Sequence, residues 1–177
     1  MDNSFFAYLQ QLELMAFFSG YPLLYAIILF IAGNRPGKNF FKDRIFPLLP
    51  FAYALTGTLY LGLQIRNLYP DYSIENIRLT LQHPWLTGWG LLSILFWIPI
   101  LSRKPVFSLV HSLVFFSLLV KDLFLHTFRS SADKNVVRND MKIYTDSLLL
   151  NLGTLILVTV IFLLIIFFKK QKRSTPG

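Results

Sequence analysis

Residues 147–168 read SLLLNLGTLILVTVIFLLIIFF, a run with no charged side chain that becomes almost wholly Leu, Ile, Val and Phe after Thr154. At about 1.5 Å of rise per helical residue, such a run is long enough to cross a hydrocarbon layer of about 30 Å. Reading outward for windows of the same kind gives four more, at 14–32, 46–65, 85–101 and 106–128. The window at 85–101 is short and carries Pro99, which predicts a tilt or a kink there.

The composition agrees with that reading. The 177 residues are 54% hydrophobic and 15% charged, with mean hydropathy +0.53, whereas a typical soluble domain is about 25% charged. The expected fold is an all-α integral membrane protein: a bundle of about five transmembrane helices with short amphipathic helices in the outer loops. It forms one membrane domain over residues 1–177 and leaves too little chain for a separate soluble enzyme domain. Cysteine is absent, which excludes disulfides, thiolate-bound zinc or iron–sulfur centres, thiol catalysis, prenylation and S-acylation.

The net charge of +8 reads first as topology. Lys and Arg resist translocation. Arg35, Lys38, Lys42 and Arg44, then Arg103 and Lys104, then Lys169, Lys170, Lys172 and Arg173 all fall on one side of a five-span chain. The other side receives Arg66, Arg78, Arg129, Lys134, Arg138 and Lys142. The expected placement is a cell membrane, plasma or bacterial inner, with the amino terminus outside and residues 169–177 a basic cytoplasmic tail. A cleaved signal peptide is not expected, because the start carries Asp2 and Glu13 and no basic region.

The connections carry helical signals. Phe5, Leu9 and Leu12 share a face apart from Gln10, Gln11 and Glu13, which suits a lead-in helix lying in the outer interface. In the second loop, Asp71 or Ser73 caps a stripe of Ile74, Ile77 and Leu81. In the fourth, Ser130 and Asp133 form a capping box, and Val137, Met141, Tyr144 and Leu148 carry one stripe into the last span. That helix is expected to project beyond the membrane surface. Gly20-Tyr21-Pro22 marks a kink in the first span.

Three polar stripes are the candidate functional residues. On the fourth span, Lys121 and Asp122 are ionisable at depth, where each needs a partner or water. Neighbours on a helix diverge by about 100°, so they do not satisfy one another. Lys121 shares a face with Val110, Val114 and Ser117, from which its stem reaches outward. Asp122 shares one with His111, Phe115, Leu118, His126 and Arg129, and the Asp122–His126 spacing suits holding a proton. The second span carries Tyr53, Thr56, Gly57, Tyr60 and Gln64, and the last carries Ser147, Asn151 and Thr154. Should these faces converge, Asp122, His126, Lys121, Tyr60, Gln64, Asn151 and Thr154 line a pocket open to the outside; otherwise they are interhelical hydrogen bonds.

No metal site or cofactor is expected: two ligand-type side chains do not hold a metal, and His111 has no second histidine at matching depth for a haem. His83, in a loop, reads as solvated. Phosphate loops, nucleophile elbows, zinc-protease and kinase signatures do not occur. Nucleic acid is not an expected partner, since acids dilute the cations of the outer loops. The remaining readings are an accessory or scaffold subunit that binds another membrane protein or itself within the bilayer, then a small transporter, channel or proton-linked sensor, then a lipid-acting enzyme using Asp122 and His126.

Overall fold

A computed structural model describes residues 3–33, 41–70, 72–74, 77, 83–128 and 134–173. Among them there is no strand. Helix α1 is Asn3–Phe18, α2 Tyr21–Gly33, α3 Leu49–Leu68, α4 Pro84–Leu91, α5 Pro99–Ser102, α6 Pro105–Phe128 and α7 Lys134–Arg173. A π-helical turn, Phe41–Ile45, and a 3-10 turn, Phe46–Leu48, lead into α3, and a 3-10 segment, Leu92–Trp97, joins α4 to α5.

Four helical stretches are long and apolar enough to cross a membrane: Gln10–Gly33, Lys42–Leu68, Pro105–Leu125 and Met141–Gln171. Five were expected, and the difference lies at residues 84–102. Pro99 has no N–H to donate, and a residue before proline is pushed out of the α region. Ile98 accordingly sits extended at φ −73°, ψ 125°. Gly88 and Gly90 weaken the helix ahead of it. The segment still traverses the bundle, because α3 and α6 run parallel and the chain between them has to return. It does so along α3, from Thr87 beside Tyr60 to Trp97, whose indole donates to Thr58 Oγ1 at 3.0 Å and whose ring contacts Phe51.

The kink in the first span is real and has its own repair. The helix breaks between Phe18 and Tyr21, just ahead of Pro22, and backbone groups left open at the break are taken up by α7. The Gly20 N–H donates to Ser147 Oγ at 2.8 Å, and Asn151 Nδ2 donates to the Phe17 carbonyl at 2.8 Å. Gly20 is required there, since a Cβ would collide with the backbone of Ser147 and Leu148.

The lead-in is no separate surface helix, because α1 runs unbroken from Asn3 into the span. In the second loop, Ile74 and Ile77 are helical and Ile77 N donates to Ser73 O; the rest of the helix expected there lies outside the described residues with Asp71 and Leu81, as do Arg35, Lys38, Ser130 and Asp133. The last helix is continuous for 40 residues, about 60 Å against a hydrocarbon core of about 30 Å. It therefore runs well past residues 147–168.

Polarity is distributed opposite to a water-soluble bundle. Inside lie Gln10, Thr56, Gln64, Thr87, His111, Asn151 and Thr154 around an aromatic centre of Phe18, Tyr21, Tyr53, Tyr60 and Phe115. Outside, most large apolar side chains of α7 from Leu149 to Phe168 are exposed. Such a surface is stable where the solvent is hydrocarbon, and the buried hydroxyls and amides then supply the helix-to-helix bonds.

Candidate functional site

The alternating passes place the start of α1, the end of α3, the start of α4 and the end of α6 at one end of the bundle. There α1 presents three polar side chains to three different elements. Gln10 Nε2 donates to Thr87 Oγ1 at 2.9 Å while its Oε1 accepts the His83 N–H at 2.8 Å. Gln11 Nε2 donates to Asp122 Oδ2 at 2.7 Å. Gln64 Nε2 donates to Glu13 Oε2 at 3.4 Å.

Below this layer the ring of Tyr60 is clamped by Phe17 and Phe18, with edge-on contacts at 5.4 and 5.5 Å. Gly90 lets α4 approach, since a Cβ there would press on Leu14, Phe18 and Tyr60. The Tyr60 hydroxyl is wholly buried. Thr87 stands beside it, already engaged by Gln10, and the two hydroxyls complete no hydrogen bond of good geometry.

Deeper still, Thr56 on α3 stands 3.3 Å from Asn151 Oδ1 and 3.2 Å from Thr154 Oγ1 on α7. Next to it, His111 is bound on both ring nitrogens. Its Nε2 lies 2.9 Å from the Trp89 carbonyl, which only accepts, so Nε2 carries the proton and Nδ1 accepts from the Tyr53 hydroxyl at 2.7 Å. The Trp89 indole stacks on the imidazole at 4.9 Å and 6°, and donates to the His111 carbonyl. Tyr21 donates to Ser108, whose own proton goes to the Pro105 carbonyl.

Of the residues selected from the sequence, Asn151 and Thr154 meet each other and Thr56. Tyr60 and Gln64 lie one turn apart on the buried face of α3, but they face α1 and α4 instead of Asn151. Asp122 is half-buried and accepts from Gln11. Lys121 is exposed. The side chain of His126 and all of Arg129 lie outside the described residues, so the Asp122–His126 pair does too. Sequence reading missed Gln10, Gln11 and Glu13, and it missed Tyr53 as the partner of His111.

An apolar cleft of 260 Å³ opens between α6 and α7, lined by Phe116, Leu119, Val120, Leu123, Met141 and Tyr144. Among the described residues, no group of three or more His, Cys, Asp or Glu is placed to hold a metal. Chemically, the interior is a stack of neutral donors and acceptors with two carboxylates, Glu13 and Asp122, at one end. Compared with protein families, curated proteins and solved structures, the chain finds no match.

Proposed function

We propose that the chain is a five-pass protein of the cell membrane, amino terminus outside and tail in the cytoplasm, that acts as an accessory or scaffold subunit binding another membrane protein. The observation that carries this reading is the uneven cover of its helices. The apolar windows of the first two candidate spans are 56% buried, that of the α6 stretch 28% and that of α7 17%. The longest helix is thus attached by about two turns of polar contacts, Ser147 to Thr154, with Leu155, Val158 and Phe162 packed on the core beyond them, and leaves most of its apolar surface to lipid or a partner. The interior, by contrast, ties its helices to one another through side-chain hydrogen bonds.

Orientation is supported by the cations. Lys42 and Arg44 before α3, Arg103 and Lys104 before α6, and Lys169 and Lys170 at the end of α7 gather at the end of the bundle opposite Glu13 and Asp122.

Native mass spectrometry of the protein extracted from its own membranes in mild detergent tests the proposal. The expected species is a stoichiometric complex with a second membrane protein. A monomer of 20.5 kDa carrying only lipid removes it.

A second reading, a proton-linked transporter or sensor, draws support from Glu13 and Asp122, two carboxylates turned inward at span level and each held by a glutamine. In that case Asp122→Asn abolishes a pH-dependent flux while insertion is normal; unchanged flux sets the reading aside.

A further inference from the structure

A buried hydroxyl without a partner calls for an explanation, because leaving such a group unsatisfied costs free energy that most interiors avoid. Tyr60 is such a group, and its surroundings are ordered around it. Phe17, Gly90 and Leu14 hold the ring, and Glu13, Thr87 and Gln10 lie three or four residues from them towards the amino-terminal end, on the same helix faces. Gln64 is one turn from Tyr60 itself. The polar groups therefore gather at the hydroxyl end of the ring.

Their chemistry is one-sided. Glu13 brings a negative charge, near enough to bear on the Tyr60 hydroxyl, and no described residue is paired with it by an ion pair. Thr87 and Tyr60 bring hydroxyl oxygens. The Gln64 amide meets Glu13 at only 3.4 Å, and turned over it offers its oxygen; the two ends of an amide are assigned from their neighbours. Gln10 is fixed in the other sense by the His83 N–H, and so holds Thr87 in place.

Hard oxygen donors of this kind select alkali and alkaline-earth ions over soft metals. One carboxylate balances one positive charge, whereas calcium sites use several carboxylates and six to eight oxygens. We propose that Glu13, Tyr60, Thr87 and Gln64 bind a single monovalent cation of sodium size, which fastens α1, α3 and α4 together at this end of the bundle. The site stands apart from the partner-binding reading and does not rest on it.

The test is thermal unfolding of the purified protein in detergent, followed by tryptophan fluorescence, in sodium, potassium or choline chloride at equal ionic strength. Ligand binding to the folded state raises stability with concentration. Sodium should raise Tm by several degrees over choline, with saturation, and by more than potassium. Glu13→Gln and Tyr60→Phe should abolish the difference, while Tyr25→Phe, which removes a hydroxyl at the opposite end, keeps it. Equal Tm in sodium and choline overturns the proposal. So does a sodium effect that survives Tyr60→Phe, the variant that removes one oxygen and leaves the packed ring. Should Glu13→Gln fail to fold, wild type and Tyr60→Phe decide the matter.

Discussion

His111 shows how a single polar residue is made tolerable at bilayer depth. Both nitrogens are bonded, one to a hydroxyl on α3 and one to a carbonyl on α4, and the imidazole face is covered by Trp89. The residue thereby couples three elements at one point. Interhelical hydrogen bonds in membranes contribute on average about 0.6 kcal/mol and at most about 1.7. Tyr53→Phe and His111→Phe should each cost about 1 kcal/mol, and the double variant little more than either, because the first removes what the second would lose. Reversible unfolding in mixed micelles measures the cycle; fully additive losses would mean that the two groups act separately. In the sequence His111 stands out on its helix face, but the partner that the pattern suggests is a second histidine, as a haem would need. A tyrosine is an equally good partner for a neutral imidazole, and nothing in a one-dimensional pattern ranks the two. Gln10, Gln11 and Glu13 escaped for a different reason. As the polar side of an interfacial helix they would face water, whereas α1 continues straight into the span and turns them to the bundle.

At the scale of elements, the polar stripes were legible because a helix repeats its faces. Tyr53, Thr56, Gly57, Tyr60 and Gln64 are all buried, and so are Ser147, Asn151 and Thr154. Their partners were not legible, since periodicity fixes a face and a depth but not which helix stands opposite. The pairing that matters most joins two features the sequence displayed separately, the break at Gly20-Tyr21-Pro22 and the polar start of the last span. Together they explain why α7 docks where it does: the break supplies unsatisfied backbone and α7 supplies the side chains that satisfy it. Gly20→Ala should therefore cost about 1–3 kcal/mol, the range for overpacking a closed interface, with α7 prised from α1. Gly153→Ala is the matched control. It lies on the exposed side of α7 with nothing within 4 Å of a Cβ, so it should be neutral or gain up to about 1 kcal/mol from helix propensity. Equal effects in the same unfolding assay would show that helix propensity, and not the contact with Ser147 and Leu148, governs both sites.

For the whole molecule, the count of crossings turns on residues 84–102. As a continuous helix this segment does not qualify, broken by Ile98 and Pro99 and drawn into 3-10 geometry from Leu92 to Trp97. As a path it returns from the end of α3 to the start of α6 with one face turned inward: Thr87, Ser93 and Phe96 are buried, with Gly57 of α3 leaving space for Ser93, while Trp85, Leu92, Leu95 and Ile100 are exposed on the other face. Irregular backbone of that kind is tolerated at membrane depth where other helices enclose it. The absence of cysteine makes the question directly measurable, because every introduced thiol reports alone. Tyr72→Cys, just beyond α3, Lys104→Cys, just before α6, and Gln171→Cys, near the end of α7, all replace exposed residues. With an impermeant thiol reagent on intact cells, Tyr72→Cys should be labelled at once, and the other two only after the membrane is opened. If Lys104→Cys reacts together with Tyr72→Cys, the segment re-enters on one side and the chain crosses four times. The two termini would then share a side, and the cations at positions 103, 104, 169 and 170 would be parted from those at 42 and 44, which removes the charge asymmetry that orients the protein.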